Sequence, residues 1–131
     1  MKTWYPAAVM AIIIFIFSSF PAADSDQQSG LIVNVITTLF PDLKGADHLV
    51  KIVRKIAHLT EYAILGYLTA RGFKLSKKSP WLSVLACAIY ASTDEFHQTL
   101  VQGRSGEIKD VALDILGATF GASIYWLTHR K

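Results

Sequence analysis

The chain has 131 residues, enough for a single ordinary domain. Hydrophobic residues make up 52% and charged residues only 18%, against roughly a quarter charged in a soluble domain; the apolar residues gather in four blocks, which points to a small integral membrane protein. A net charge of +3 does not indicate nucleic acid, because the basic residues form no run interleaved with aromatics. The single cysteine, Cys87, excludes an intramolecular disulfide and any zinc site built on two or more cysteines.

The first block runs from Trp4 to Phe20 ("WYPAAVMAIIIFIFSSF"), with aromatic residues at both ends as in a helix anchored at two membrane interfaces. A secretory signal peptide competes, since "FPAAD" offers small residues to a peptidase. Pro21 fits such a motif poorly, and the block is read as a retained helix. Next comes a long extracytoplasmic segment. "LIVNVITTLF" spaces Ile32, Val35, Ile36, Leu39 and Phe40 as a helix too short to span. After Pro41 and Gly45, "DHLVKIVRKIAH" puts Leu49, Ile52, Val53 and Ile56 on one face and Lys51, Arg54 and Lys55 on another. The expectation is an amphipathic segment in the outer interface, with helical turns packed on the bundle as the alternative. "QQSG" and "LSKKSP" read as loops.

The remaining blocks run from Ile56 to Phe73, Trp81 to Gln98 and Val111 to Thr128, each near the ~17 to 25 residues that cross a bilayer. The predicted fold is therefore an all-α bundle of four transmembrane helices, one domain over residues 1–131. Its orientation follows from Arg71, Lys74, Lys77 and Lys78 in the loop between the second and third helices, and from the basic C-terminus. The positive-inside rule makes that loop and both termini cytoplasmic, and every acid from Asp24 to Asp114 then falls in the outer half.

Three ionisable clusters meet at that outer level. "RKIAHLTEY" opens the second span with His58, Glu61 and Tyr62 on one face; the third ends with Asp94, His97 and Gln98 on one face, Tyr90 one turn deeper and Glu95 rotated about 100° away; the fourth stacks Asp110 over Asp114. Charges at membrane depth cost roughly 2.5 to 3.5 kcal/mol each unless paired or turned inward. Gly117 and Gly121 form a small-xxx-small ridge that invites a close helix neighbour, or a dimer.

Four chemistries compete for these groups. General acid–base work needs titratable groups in contrasting environments. A divalent metal site would use His58, Glu61, Asp94 and His97. An anion pocket would use Arg104 as a bidentate fork, or the charges tie helices together and do nothing else. "HLTE" alone is a weak signal; "DEFHQTLVQGRSGEIKDVALD" is a strong one. A proton relay through the membrane is disfavoured because the inner halves of the helices carry no Asp, Glu or His. Cys87 reads as packing, His48 and His129 as solvated, Tyr67 and Trp81 as interfacial anchors.

The segments "FSSFPAADS", "RKIAHLTEY" and "YASTDEFHQTLVQGRSGEIKDVALDILGA" resemble the VanZ-like family of small bacterial membrane proteins, over most of the chain. The most specific pattern is Asp94-Glu95, His97-Gln98, Gly103-Arg104, Asp110, Asp114 and Gly117. Phe20 and Gln102 stand where the family often has glutamine and proline, Asp114 stands where asparagine can occur elsewhere, and none of these removes a charged member. The resemblance implies a bacterial inner-membrane protein with a founding relative associated with low-level resistance to the lipidated glycopeptide teicoplanin; it implies no settled reaction and no cofactor.

The resulting expectation is a polar pocket at the outer leaflet that acts on or binds an amphiphilic envelope molecule, the rival being a non-catalytic lipid-organising or drug-shielding protein. Glu95, His97 and Asp94 are expected to move protons. Arg104, His58, Glu61, Gln98, Asp110 and Asp114 are expected to line the pocket, and no metal ligand is assigned. Expected partners are membrane lipid and a lipid-linked cell-wall precursor or lipoglycopeptide, with homo-oligomers through the glycine ridge and no nucleic acid.

Overall fold

Two prolines punctuate the start of the chain in the computed structural model, which describes residues 3–43 and 48–129. Helix α1, Tyr5–Ser18, has a proline in its first turn, where a missing N–H breaks no helical hydrogen bond. Pro21 then disfavours helical backbone in Phe20 and caps α2, Ala22–Leu39, in an extended conformation. The two helices consequently meet at 105°. A 3₁₀ turn at Pro41–Leu43 follows, then α3 (Leu49–Leu75), α4 (Leu82–Gln98) and α5 (Ile108–Thr128).

The all-helical class is as expected, and the described residues contain no strand. Two boundaries differ. "QQSG" is inside α2, not in a loop, because Ser25, Ser29, Val33 and Ile36 recur at helical spacing and Ser25 and Ser29 are buried on that face. The "DHLVKIVRKIAH" stretch is no separate interfacial piece: from Leu49 it is the first two turns and more of α3. The turn expected at Gly45 lies outside the described residues.

α3 and α5 run parallel, and so do α1 and α4, in the opposite sense. Trp4 at the start of α1 packs edge-on against Phe73 at the end of α3, with ring centroids 4.9 Å apart. Trp81 and Trp126 pair the start of α4 with the end of α5, while Tyr90 of α4 donates a 2.6 Å hydrogen bond to the Ala11 carbonyl of α1. One end of the bundle therefore collects the basic α3–α4 turn, and the other collects the α1–α2 bend, the α4–α5 loop and the start of α5.

The parallel α3–α5 pair is held by small residues. A Cβ on Gly121 would overlap the Ala63 carbonyl, one on Gly117 the Leu59 carbonyl, and one on Gly66 the Ala118 backbone. The ridge predicted on α5 packs within the chain, where α3 meets Gly117 and Gly121. The reason is that α3 carries its own small stripe, Ala63, Gly66 and Ala70, in register with it.

Many large apolar side chains lie on the outside of the bundle. The interior mixes a few large apolar residues, Ile14, Tyr62, Leu65 and Tyr125, with small or polar ones, Ala70, Ala91, Ala118, Ser83, Asp94, Glu95, Gln98 and Asp114, whereas Ile12, Phe15, Leu85, Ile89, Phe96, Leu116, Phe120 and Leu127 are all at least half exposed. Among the described helices, α5 alone is long and apolar enough to cross a membrane by itself; α1 and α2 reach that composition only as a bent pair.

Candidate functional site

At the end of the bundle opposite the basic turn, side chains from α2, α3, α4, α5 and the α4–α5 loop converge. Gly103 begins the convergence with a positive φ of 76°, a backbone that favours glycine; a Cβ there would also press on Ala22. The turn swings Arg104 inward. Its guanidinium donates to the Gln98 side-chain carbonyl (3.1 Å), to the Phe17 carbonyl (3.3 Å) and to the Ser25 hydroxyl. One arginine thus ties α1, α2 and α4 together. Burial pulls its pKa down and the Arg54 charge adds to this, while Asp94 and Glu95 oppose both.

Gln98 is the next link. Its amide donates to Asp94 Oδ2 at 3.2 Å and to Glu95 Oε1 at 3.3 Å, so one buried side chain orients two buried carboxylates. Glu95 Oε2 accepts the Glu107 backbone N–H at 3.1 Å, at the positive end of α5. Gly106 permits this approach, since a Cβ there would overlap the Glu95 carbonyl.

Facing α4 across the interior, His58 Nδ1 lies 3.6 Å from Asp114 Oδ1. Asp114 is fully buried, and neither of its carboxylate oxygens has a hydrogen-bond partner among the described residues; Asp94 Oδ1, Tyr62 Oη and His58 Nδ1 are likewise buried and unpartnered. One ligand atom from each of His58, Glu95 and Asp114 falls within 4.8 Å of the others, an arrangement able to hold a metal ion. Glu61 is half-buried, within electrostatic reach of His58 and Asp94.

Above this cluster opens a cleft of about 560 Å³, floored by His58, Gln98 and Arg104 and walled by Lys51, Arg54, Lys55, Asp26, Glu107 and Asp110. Arg54 pairs with Asp26 and Lys55 with Asp110, each at 2.8 Å. The Asp110 hydrogen bond and charge push the Lys55 pKa up. Lys51 and Arg104 add positive charge without a direct ion pair to an acid among the described residues.

The structure brings together Asp94, Glu95, Gln98, Arg104, His58 and Asp114, with Asp110 on the rim. It separates His97, which stacks on Phe15 (centroids 4.8 Å apart) and meets the Ser19 hydroxyl at 3.1 Å. The face predicted for α4 is corrected accordingly. The buried stripe is Ser83, Cys87, Ala91, Asp94, Glu95 and Gln98, centred to one side of Asp94, so Glu95 turns inward and His97 turns to α1 with Tyr90. The metal set His58, Glu61, Asp94 and His97 fails for the same reason.

The VanZ/LLP1 family model matches residues 3–129. The chain belongs to the VanZ-like family. No curated protein and no solved structure matches it. The positions that carry the VanZ-like resemblance have physical roles here: Asp94, Glu95, Gln98 and Arg104 form the linked network, Gly103 makes its turn, and Gly117 admits α3.

Six contributors to this VanZ-like site were not among the sequence candidates: Ser25, Asp26, Lys51, Arg54, Lys55 and Glu107. Lys51 was legible. Lys51, Arg54, Lys55 and His58 follow i, i+3, i+4, i+7, a cationic stripe running straight into the histidine once α3 is continuous. Ser25 and Glu107 carry no such signal, because the bend at Pro21 and the α4–α5 loop bring them in.

Proposed function

We propose that this VanZ-like protein is a multi-pass protein of the bacterial cytoplasmic membrane, with both termini cytoplasmic, whose outer-leaflet cleft takes the anionic head group of an amphiphilic envelope molecule. The observation that carries the proposal is the coincidence of two features at one end of the bundle. The cleft presents Lys51 and Arg104 over His58, and α2 leaves α1 at 105° with Leu31, Ile32, Val35 and Leu39 exposed along it. A helix normal to a spanning helix lies in the interface with its apolar side in acyl chains. The cleft beside it is then at head-group level.

The exposed leucine, isoleucine and phenylalanine surface of α1, α4 and α5 supports burial in lipid, since contiguous apolar surface of this kind is costly in water. Four of the helices, α1, α3, α4 and α5, would span, with the Arg71 to Lys78 turn inside. Phosphate is the head-group chemistry that suits a lysine and an arginine acting together. Lipid-linked cell-wall precursors and lipidated glycopeptides are amphiphiles encountered at that leaflet, which connects the cleft to teicoplanin resistance.

The rival, a purely structural charge network, has a specific observation in its favour: every side-chain hydrogen bond that Arg104 makes goes to α1, α2 and α4, and its Nε is buried without a partner among the described residues. We therefore assign Arg104 a double role, fold clamp and cleft floor, and assign anion capture to Lys51. The test is binding of a polyprenyl phosphate, against the matching polyprenol, to the protein in zwitterionic nanodiscs. Wild type should prefer the phosphate, and Lys51→Glu should lose about tenfold or more, the worth of one charge-assisted hydrogen bond. Equal binding of both lipids by wild type sinks the proposal.

A further inference from the structure

The Arg104–Gln98 network explains how Glu95 and one oxygen of Asp94 are satisfied, yet leaves the deepest acid unexplained. Asp114 is fully buried with both oxygens unpartnered, an arrangement that ordinarily costs several kcal/mol in a low-dielectric interior. Asp94 Oδ1 is in the same condition. Three buried carboxylates, Asp94, Glu95 and Asp114, share the interior with one guanidinium, and the imidazole that faces Asp114 does so at 3.6 Å, beyond hydrogen-bond range.

That separation suits a shared ion. Two ligands bonded at about 2.0 to 2.1 Å around a tetrahedral centre are roughly 3.4 Å apart. We propose that His58, Glu95 and Asp114 bind one divalent transition cation, of the zinc or manganese class, at the floor of the cleft. One imidazole with two carboxylates is a donor set that both metals accept. Glu95 is already oriented as a ligand, because Gln98 and the Glu107 N–H each engage one of its oxygens and each oxygen keeps a second lone pair. Such partners behind a ligand fix its direction and tune affinity. His58 alone of the three lines the cleft, so the ion would face incoming anionic groups there. The ion's two positive charges together with Arg104 balance the three carboxylates.

The inference rests on the polar end being a working site, but its test uses no lipid, so its failure and that of head-group binding are separable. The full-length protein, purified in detergent and stripped with a chelator, is loaded with zinc or manganese alone and desalted. Wild type should retain one ion per chain and melt at a higher temperature when loaded; His58→Gln and Asp114→Asn should each weaken retention at least a hundredfold and abolish the thermal shift. Cobalt(II) loaded into wild type should give the visible bands of a four- or five-coordinate nitrogen–oxygen site, which needs no variant to interpret. Sub-stoichiometric retention by wild type, retention equal to that of the variants, or the spectrum of six-coordinate aqueous cobalt overturns the proposal. Phosphate-lipid preference that persists in chelator while metal retention fails removes the ion and leaves the cleft.

Discussion

His58 on α3 faces Asp114 on α5 at 3.6 Å, and about one turn outward Lys55 and Asp110 join the same parallel helices at 2.8 Å. The outer rung is a direct, half-exposed ion pair, whereas the inner one is buried and held apart. Exposed pairs contribute little to stability, so the outer rung serves to set helix register and to wall the cleft. The inner rung holds an acid that finds no hydrogen-bond donor among the described residues, the position the proposed ion would fill.

The outer rung has a pH signature. The Asp110 carboxylate raises the Lys55 pKa, so Lys55 binds its proton more tightly folded than unfolded. Its contribution to stability is full below the ordinary lysine value of about 10.4 and is lost as pH rises through the higher folded value. A pH titration of the Lys55 ammonium by NMR should show a midpoint above that of free lysine. Asp110→Asn should bring it back.

Small residues between α3 and α5 should be intolerant of growth. Gly121→Ala places a methyl on the Ala63 carbonyl, a backbone atom unable to move aside cheaply, and should cost roughly 1 to 3 kcal/mol or more. Gly30→Ala in α2 meets nothing within 4 Å and should stabilise by about 0.5 to 1 kcal/mol through helix propensity. Denaturation in detergent of the two variants side by side checks the opposite signs.

Replacing Gln98 by leucine strands Asp94 Oδ2, Glu95 Oε1 and one Arg104 N–H at once. Buried hydrogen bonds to charged groups are worth about 1.5 to 3 kcal/mol each and are not additive, so a total near 3 kcal/mol is expected. Denaturation in detergent reads the loss. Gln98→Glu should be worse, because a third carboxylate then faces the other two.

The two histidines at this end should behave differently. His97→Gln alters a partly exposed contact with Phe15 and Ser19 and should change phosphate-lipid binding by less than about twofold, or about 0.4 kcal/mol. His58→Gln removes a cleft-floor group facing Asp114 and should reduce it clearly. Equal effects of the two variants would return His97 to the site.

Membrane orientation is directly measurable, because the one cysteine is buried and Cys87→Ser gives a clean background. Lys78→Cys should react with an impermeant thiol reagent only when it is applied from the cytoplasmic side. Gln102→Cys should react only from outside.

Apolar blocks alone determined the helical class and the approximate limits of α1, α4 and α5, because burial in lipid or protein needs long apolar runs whatever the packing. The cluster Asp94, Glu95, Gln98, Arg104 and Asp114 was legible from the density of charge in an otherwise apolar chain, and the family from the same residues. Tertiary structure decided which side of α4 faces inward. On a helix, Glu95 and His97 lie about 160° apart, so either could have joined Asp94, and contact with α3 and α5 chose Glu95. It also decided that the Gly117 and Gly121 ridge meets α3, through the register of Ala63 and Gly66. The bend at Pro21 could be read as a break but not as an angle; the 105° turn is what carries Ser25 to Arg104 and places α2 beside the cleft.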